Sequence, residues 1–316
     1  MKSSRFLLQP TASAGFLSQT FHASLPGERR RFILKVGPDQ PVARRFSRHL
    51  RAFEREAAAY RLLRPLSGKF VPRCIASAST PDGSDGLLLL EEIFPSRTGD
   101  QIRGLSFSEL SSVVQSIGAV HAKFWNSPQL RKSQALPLHH YNRAQEAGKT
   151  TLSFLRSCGT LLTKKEAKRV LFFPPRILRA LREAKRRPVT LIHGDLRADN
   201  LLFAPSRVFI VDWQISARGL GAFDLARLIG GSSARPLTPG DQQRLVGIWH
   251  ETLQRRGVPR YRRLDAWRDY RLGVALALSI PLTNGPTLLQ LSDRGRKIAR
   301  LMIHRFFQNA ETILEI

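Results

Sequence analysis

Residues 193–200 read "HGDLRADN" and lie between two apolar runs, "VTLI" before and "LLF" after. The flanks predict short buried strands, and a histidine, two aspartates, an arginine and an asparagine are out of place in such surroundings unless they act together. After "LLF" come "APSR" and then "VFIVDW", so the two apolar runs are expected to pair as a hairpin with "APSR" as its connection. With Phe203 facing Val208, the same register sets Asn200 opposite Val211 and Asp199 opposite Asp212. Asn200 and Asp212 then become diagonal neighbours at one end of the hairpin, about 7–8 Å apart at Cα, within reach of one shared cation. Magnesium suits a carboxylate and an amide oxygen completed by phosphate and water. Asp195, at the end of the "VTLI" strand, is left free to accept the proton of a hydroxyl that attacks a metal-bound phosphate. A histidine-x-aspartate triplet alone reads as a polar turn. Asn200, five residues after Asp195, and the hairpin-borne Asp212 turn the reading toward catalysis.

"HGDLRADN" followed by "VFIVDW" resembles the catalytic loop and metal-binding segment of the protein-kinase-like fold, in the form carried by aminoglycoside phosphotransferases and choline kinase-like enzymes. "HAKFW" from His121, "DWQ" from Asp212 and "DYRLGV" from Asp269 look most similar to the ecdysteroid-kinase-like branch, and the resemblance runs over nearly the whole chain. It implies an α+β, bilobal fold with a small mixed N-terminal lobe and a larger, mainly helical C-terminal lobe. It also implies roles: Asp195 as catalytic base, Asn200 and Asp212 as magnesium ligands, His193 as the brace of the loop and Asp224 as structural support. Arg197 matches a position often basic in kinases, where it would neutralise charge on the transferred phosphoryl group.

Such a fold needs a lysine on an N-terminal strand and a glutamate on the next helix. "RRFILKVG" offers Lys35, and "RHLRAFEREAAAYRLL" offers the helix. At 100° per residue Leu50, Phe53, Ala57, Tyr60 and Leu63 cluster on one side; Glu56 falls inside that cluster and Glu54 outside it. Glu56 is therefore the expected partner of Lys35, and Glu54 a solvated acid near arginines. "LLLLEEIF" resembles the strand-to-hinge segment, whose backbone near Glu91 to Ile93 would bond the adenine of ATP; the side chains of Glu91 and Glu92 read equally well as surface acids. The expected phosphate-covering loop, "TASAGFLSQT", has Gly15 but no GxGxxG. The chain is thus expected to divide into residues 1–95, a nucleotide-binding lobe and hinge, and residues 96–316, a catalytic and acceptor-binding lobe. No internal repeat or low-complexity tract interrupts it.

The 316 residues are 42% hydrophobic, enough for one large domain or two modest lobes. Two cysteines, Cys74 and Cys158, with no CxxC, indicate neither a disulfide framework nor a structural zinc site; both are expected reduced and buried. "LGVALALSIPL" is too short to span a bilayer and the N-terminus lacks an apolar core of signal length, so a cytoplasmic protein without a membrane span is expected. The 51 Lys and Arg against 24 Asp and Glu give a formal charge of +27. That excess admits nucleic acid as a partner, though no recognisable nucleic-acid module accompanies it and it is not the favoured reading.

Only "WQISARGLGAF" separates Asp212 from Asp224, leaving little room for a peptide platform, and Gln214 replaces the glycine of the protein-kinase switch. A constitutively formed site for a small-molecule acceptor follows. His121 shares an apolar helix face with Val114, Ile117 and Phe124 and reads as a core histidine; His139, His140 and Tyr141 fall where the resemblance places acceptor-shaping residues. The favoured function is ATP- and magnesium-dependent phosphorylation of a hydroxyl on a small organic molecule. A catalytically weak nucleotide-binding pseudokinase with a basic surface for nucleic acid or acidic partners, and an antibiotic-modifying kinase, stand as alternatives. The acceptor and the oligomeric state are left open by the sequence.

Overall fold

The computed structural model describes residues 6–11, 17–28 and 30–314. The chain forms two compact units, the first made of Met1–Arg97, Ser133–Leu136 and Leu202–Ser216, the second of Thr98–Lys132, Pro137–Leu201 and Ala217–Ile316. The first is a small mixed unit and the second is mainly helical, the two-lobed α+β class expected from the sequence.

In the first unit, strands β1 (Leu7–Pro10), β2 (Gln19–Ser24) and β3 (Arg31–Val36), helices α1 (Pro41–Leu50) and α2 (Ala52–Leu63), and strands β4 (Cys74–Ser79) and β5 (Gly86–Glu91) follow in chain order. The sheet is antiparallel with order β1-β2-β3-β5-β4. Lys35 pairs in register with Thr20 on one side and Leu88 on the other, so the central strand fixes its backbone from both edges. Helix α2 buries Phe53, Ala57, Tyr60 and Leu63 and packs on β4 and β5.

The single helix expected through "RHLRAFEREAAAYRLL" is two. Arg51 takes a left-handed conformation, φ +51°, and its N–H returns to Arg48 O and Ser47 O. No glycine or proline marks the break. It is set by the turn before β5: Ser47 Oγ donates to Ser84 O at 2.7 Å, and Phe53 N–H to Gly83 O at 3.3 Å. A tertiary contact therefore overrides helix propensity there.

The short strands that follow later include β6 (Thr190–Ile192), β7 (Leu201–Ala204), β8 (Arg207–Ile210) and β9 (Ala217–Gly219). β7 and β8 form the expected hairpin, with a connection of only Pro205 and Ser206 because Ala204 and Arg207 are already in strand conformation. β9 pairs antiparallel with β6, setting Ala217 beside Ile192.

The second unit is built on helices α3 (Phe107–Phe124), α4 (Ala147–Cys158), α5 (Phe173–Ala184), α6 (Ala222–Ser232), α7 (Pro239–Arg255), α8 (Arg263–Ala277), α9 (Ser279–Leu291) and α10 (Asp293–Leu314). α3 starts at a capping box in which Ser106 and Glu109 satisfy each other's backbone N–H, and Thr238 and Asp241 do the same for α7. Every residue of α6 is buried, with α8 against it and α7 against α3. The apolar window within Arg263–Leu291 reaches bilayer-spanning length by composition, and 61% of that window is buried inside the protein. Of the two free cysteines, Cys158 is buried as expected, whereas Cys74, near the edge of its sheet, is only half-buried.

The closeness of α8 to α6 rests on Gly273, where a Cβ would stand 2.5 Å from the carbonyl oxygen of Ala222. Gly273→Ala is therefore expected to force the helices apart and lower stability by about 1–3 kcal/mol in urea denaturation. Gly240→Ala is the control: in the first turn of α7 its Cβ meets nothing closer than Thr238 Oγ at 3.8 Å, and a neutral or slightly stabilising result is expected.

Candidate active site

Two buried charged side chains on the buried helix α6 organise the polar cluster of the second unit. Asp224 is fully buried and accepts three hydrogen bonds: His193 N–H (2.7 Å) and His121 Nε2 (3.2 Å) on Oδ2, and Gly194 N–H (2.9 Å) on Oδ1. The tautomer of His121 follows from its other neighbour. Trp249 Nε1 can only donate, and it donates to His121 Nδ1 at 3.0 Å, so the ring's proton sits on Nε2 and points at Asp224. The sequence placed His121 as a core histidine, and it is one, 0% exposed. Asp224, expected as structural support, binds amides of the 193–200 loop.

The loop turns on Gly194, at φ +84°, a conformation that glycine adopts without steric cost. The backbone N–H of Asp195 donates back to His193 Nδ1 at 3.1 Å. Beyond Asp195 the chain does not continue as strand. Ala198–Asn200 is a short 3₁₀ turn, and Asp212 lies beyond the end of β8 with φ +67°. The extended register that would make Asn200 and Asp212 diagonal hairpin neighbours therefore stops short of both residues.

Asp195 is enclosed by donors. Its Oδ1 takes Nε and Nη2 of Arg227 at 3.1 and 2.7 Å; its Oδ2 takes Arg197 Nε at 3.2 Å and Asn200 Nδ2 at 3.4 Å. Burial works to raise its pKa, but Arg227 and Arg197 outweigh it and hold the carboxyl below its ordinary range. The side chain keeps 26% of its surface exposed, so a reactant can still reach it. Arg197 also binds Asp199 Oδ2 at 2.5 Å, bridging two carboxylates. Asn200 turns its amide nitrogen to the Asp195 carbonyl at 2.9 Å, which directs its amide oxygen the other way. Sequence reasoning missed Arg227. Its signal was legible: a lone cation three residues after Asp224, in "FDLARLIGG", where every other neighbour is apolar or glycine.

In the first unit, Lys35 is 5% exposed and lies between two carboxylates, Glu56 Oε2 at 2.7 Å and Asp212 Oδ1 at 2.6 Å. Burial acts against its charge, yet Asp212 and Glu56 prevail and raise its pKa above the ordinary lysine value. Burial pushes Glu56 up, partly offset by Lys35. Gln214 reaches both partners, accepting from Lys35 Nζ at 3.4 Å and donating to Asp212 Oδ2 at 3.3 Å. Trp213 beside them is fully buried, with its indole N–H on Ile210 O at 3.0 Å. Glu54, outside the buried face, pairs with Arg51.

At the end of β5, the N–H groups of Glu91 and Glu92 are committed to Arg73 O (2.8 Å) and Arg31 O (3.0 Å). Their side chains form surface pairs, Glu91 with Arg73 at 3.8 Å and Glu92 with Arg31 at 3.0 Å. Ile93 accepts Ser96 Oγ on its carbonyl. Gly15 and the centre of "TASAGFLSQT" lie outside the described residues. Tyr141 is a packing residue: fully buried, its hydroxyl accepts the Leu220 N–H at 2.8 Å and meets His139 Nδ1 at 3.2 Å.

Magnesium was expected on Asn200 and Asp212. Each offers a hard oxygen: Asn200 through the amide oxygen left by its nitrogen's bonds to Asp195, Asp212 through a carboxylate 27% exposed. Those donors fit the ion's preference for oxygen ligands.

Because Asp195 has a depressed pKa, it contributes to stability fully above the unfolded carboxylate value of about 3.9, and the contribution is lost as pH falls toward the folded value. Arg227→Met removes the larger of the two opposing charges, so the folded pKa rises and the acid-dependent loss of stability is expected to be smaller than in the unaltered protein. Urea unfolding of both proteins across the acid range checks this; superimposable profiles would show that Arg227 does not hold the Asp195 charge.

Comparison with solved structures gives the same fold at low identity. A choline/ethanolamine kinase family protein from Mesorhizobium loti superposes with TM-score 0.58 at 16% identity, covering 100% of this chain and 90% of its own. The Plasmodium vivax ethanolamine kinase gives 0.63 at 10% identity, covering 98% and 84%. An aminoglycoside phosphotransferase solved with streptomycin and ATP gives 0.54 at 14% identity, covering 96% and 94%. Comparison with curated proteins gives no match. Residues 10–269, which include Lys35, Glu56, Asp195, Asn200, Asp212 and Asp224, match the phosphotransferase enzyme family; the chain belongs to that family and is a small-molecule kinase.

Proposed function

We propose that the protein transfers the γ-phosphoryl group of ATP to a hydroxyl of a small organic acceptor, with magnesium. The observation that carries this reading is Asp195, held ionised and oriented by Arg227 and Arg197 while still open to a reactant. The acceptor oxygen attacks the γ-phosphorus, the bond from that phosphorus to the β,γ-bridging oxygen breaks, and ADP leaves with the electron pair. The acceptor's proton passes to a carboxylate oxygen of Asp195. A carboxylate of depressed pKa is a weak base, which suits a loose transition state in which the proton moves late and alignment supplies most of the rate. Asp195 thus chiefly orients the hydroxyl.

Asn200 and Asp212 would hold magnesium, which when bound neutralises charge on the phosphate oxygens. Lys35, fixed by Glu56, is the phosphate-orienting cation, and Arg197 is placed by its two carboxylates to offset charge on the transferred group. His193 braces the loop and Asp224 supports it from α6. The Ile93 backbone is the adenine contact, since the amides of Glu91 and Glu92 are engaged by the sheet. ATP as donor is supported by the complexes of structural neighbours, one with ADP and one with ATP.

The acceptor class follows from charge and from the short segment after Asp212. With Lys35 and Asp212 both bound by Gln214, no rearrangement is needed to form that part of the site. The excess of 51 basic over 24 acidic residues disfavours a polycationic aminoglycoside. A lipid-like, sterol-like or amino-alcohol hydroxyl is the better fit, in keeping with the ecdysteroid-kinase-like motifs. Purified protein with ATP and magnesium is expected to consume ATP with one class in a panel of small alcohols, sterols, amino alcohols and antibiotics. Asp195→Asn should lower kcat by about 10²–10⁴-fold, and Asp212→Asn should abolish metal-dependent turnover. Acceptor-independent ATP binding without transfer, or full activity in Asp195→Asn, would overturn the reading.

A further inference from the structure

The loop after β5 carries "GDQ" at 99–101, just after the 95/96 boundary expected from the sequence. Gln101 is 4% exposed and its polar groups are all engaged. Its side-chain Oε1 accepts the Ala198 N–H and the Ser232 hydroxyl, both at 3.0 Å; its Nε2 donates to Gly231 O at 2.6 Å; its backbone N–H donates to Asp199 Oδ1 at 2.9 Å. Ala198 opens the turn that ends in Asn200. The two segments come so close at Gly99 that a Cβ there would stand 2.3 Å from Ala198 O.

Gln101 is held in turn by the last helix. Arg305 of α10 donates to the Gln101 carbonyl at 2.7 Å, to Ile102 O at 3.1 Å and to Gly231 O at 3.2 Å. Arg294, near the start of the same helix, donates to Asp199 Oδ1 at 3.1 Å, and the other oxygen of Asp199 binds Arg197, which binds Asp195. The stretch matched to the phosphotransferase family ends at residue 269, before α10 begins.

We propose that Gln101 and Arg305 are positioning residues for phosphoryl transfer, with α10 fixing the turn that presents Asn200 and the Arg197–Asp195 pair. This rests on the kinase reading above. The physical reason is rigidity: a buried amide whose oxygen accepts two hydrogen bonds and whose nitrogen donates one can move only by breaking several bonds at once, and misplacement of about 1 Å at a reacting group can cost on the order of 10²-fold in rate.

The test compares Gln101→Met, Arg305→Met and Arg305→Lys with the unaltered protein. Hydrogen exchange without nucleotide or metal is expected to quicken at Ala198 by about tenfold or more in both Met variants, with α3 amides unchanged and Arg305→Lys intermediate. In turnover, kcat should fall about 10–100-fold and the half-saturating magnesium concentration should rise, while the KM for ATP stays within about twofold. Unchanged exchange at Ala198, or a loss of protection spread equally through α3 and α7, would overturn the proposal. Full turnover in Asp195→Asn would instead overturn the kinase reading, and the exchange result would stand apart from it.

Discussion

A buried carboxylate can persist only if its lone pairs are met by donors, and Asp224 meets that condition with two backbone amides and one imidazole. The arrangement of the whole 193–200 loop depends on it. The amides of His193 and Gly194 have no freedom to drift while Asp224 stays on α6, and α6 is buried along its full length. Trp249 of α7 completes the set by fixing the His121 tautomer, so two helices distant in sequence decide where Asp195 emerges.

Within each unit the charges are balanced locally. Asp195 faces Arg227 and Arg197, Arg197 faces Asp195 and Asp199, and Lys35 faces Glu56 and Asp212. Asp195 and Lys35 keep their charges despite burial because of these partners, and the same contacts orient them. Such preorganisation is what a phosphoryl transfer requires, since the reaction asks the protein for alignment and field more than for covalent chemistry. The net charge of +27 is therefore a property of the remaining surface, where it raises attraction to phosphate-bearing molecules in general.

The second unit also shows how a site acquires supports that no local pattern announces. Gln101 belongs to a loop and Ser232 to the end of α6, yet both accept the N–H of Ala198, which begins the Ala198–Asn200 turn, and Arg305 of the last helix holds the Gln101 carbonyl. A single hydrogen bond of this kind contributes on the order of 1 kcal/mol; its larger effect is to exclude alternative loop positions in which the buried groups would go unpaired.

The sequence by itself determined the two-unit α+β class, the strand bearing Lys35, the buried helix face with Glu56 inside it, and the polar island around Asp195. These are local: apolar periodicity records which face is buried, and a fixed spacing of polar residues between strands survives folding. Tertiary structure decided the rest. The break at Arg51 comes from the turn at Gly83 and Ser84, the departure of Asn200 and Asp212 from strand geometry comes from chain conformation beyond the hairpin, and the ring of donors on Asp195 is completed by Arg227, 32 positions away. Arg227 was visible as a cation in an apolar helix, but its partner was not, because nothing in a linear pattern records which buried charge another will meet.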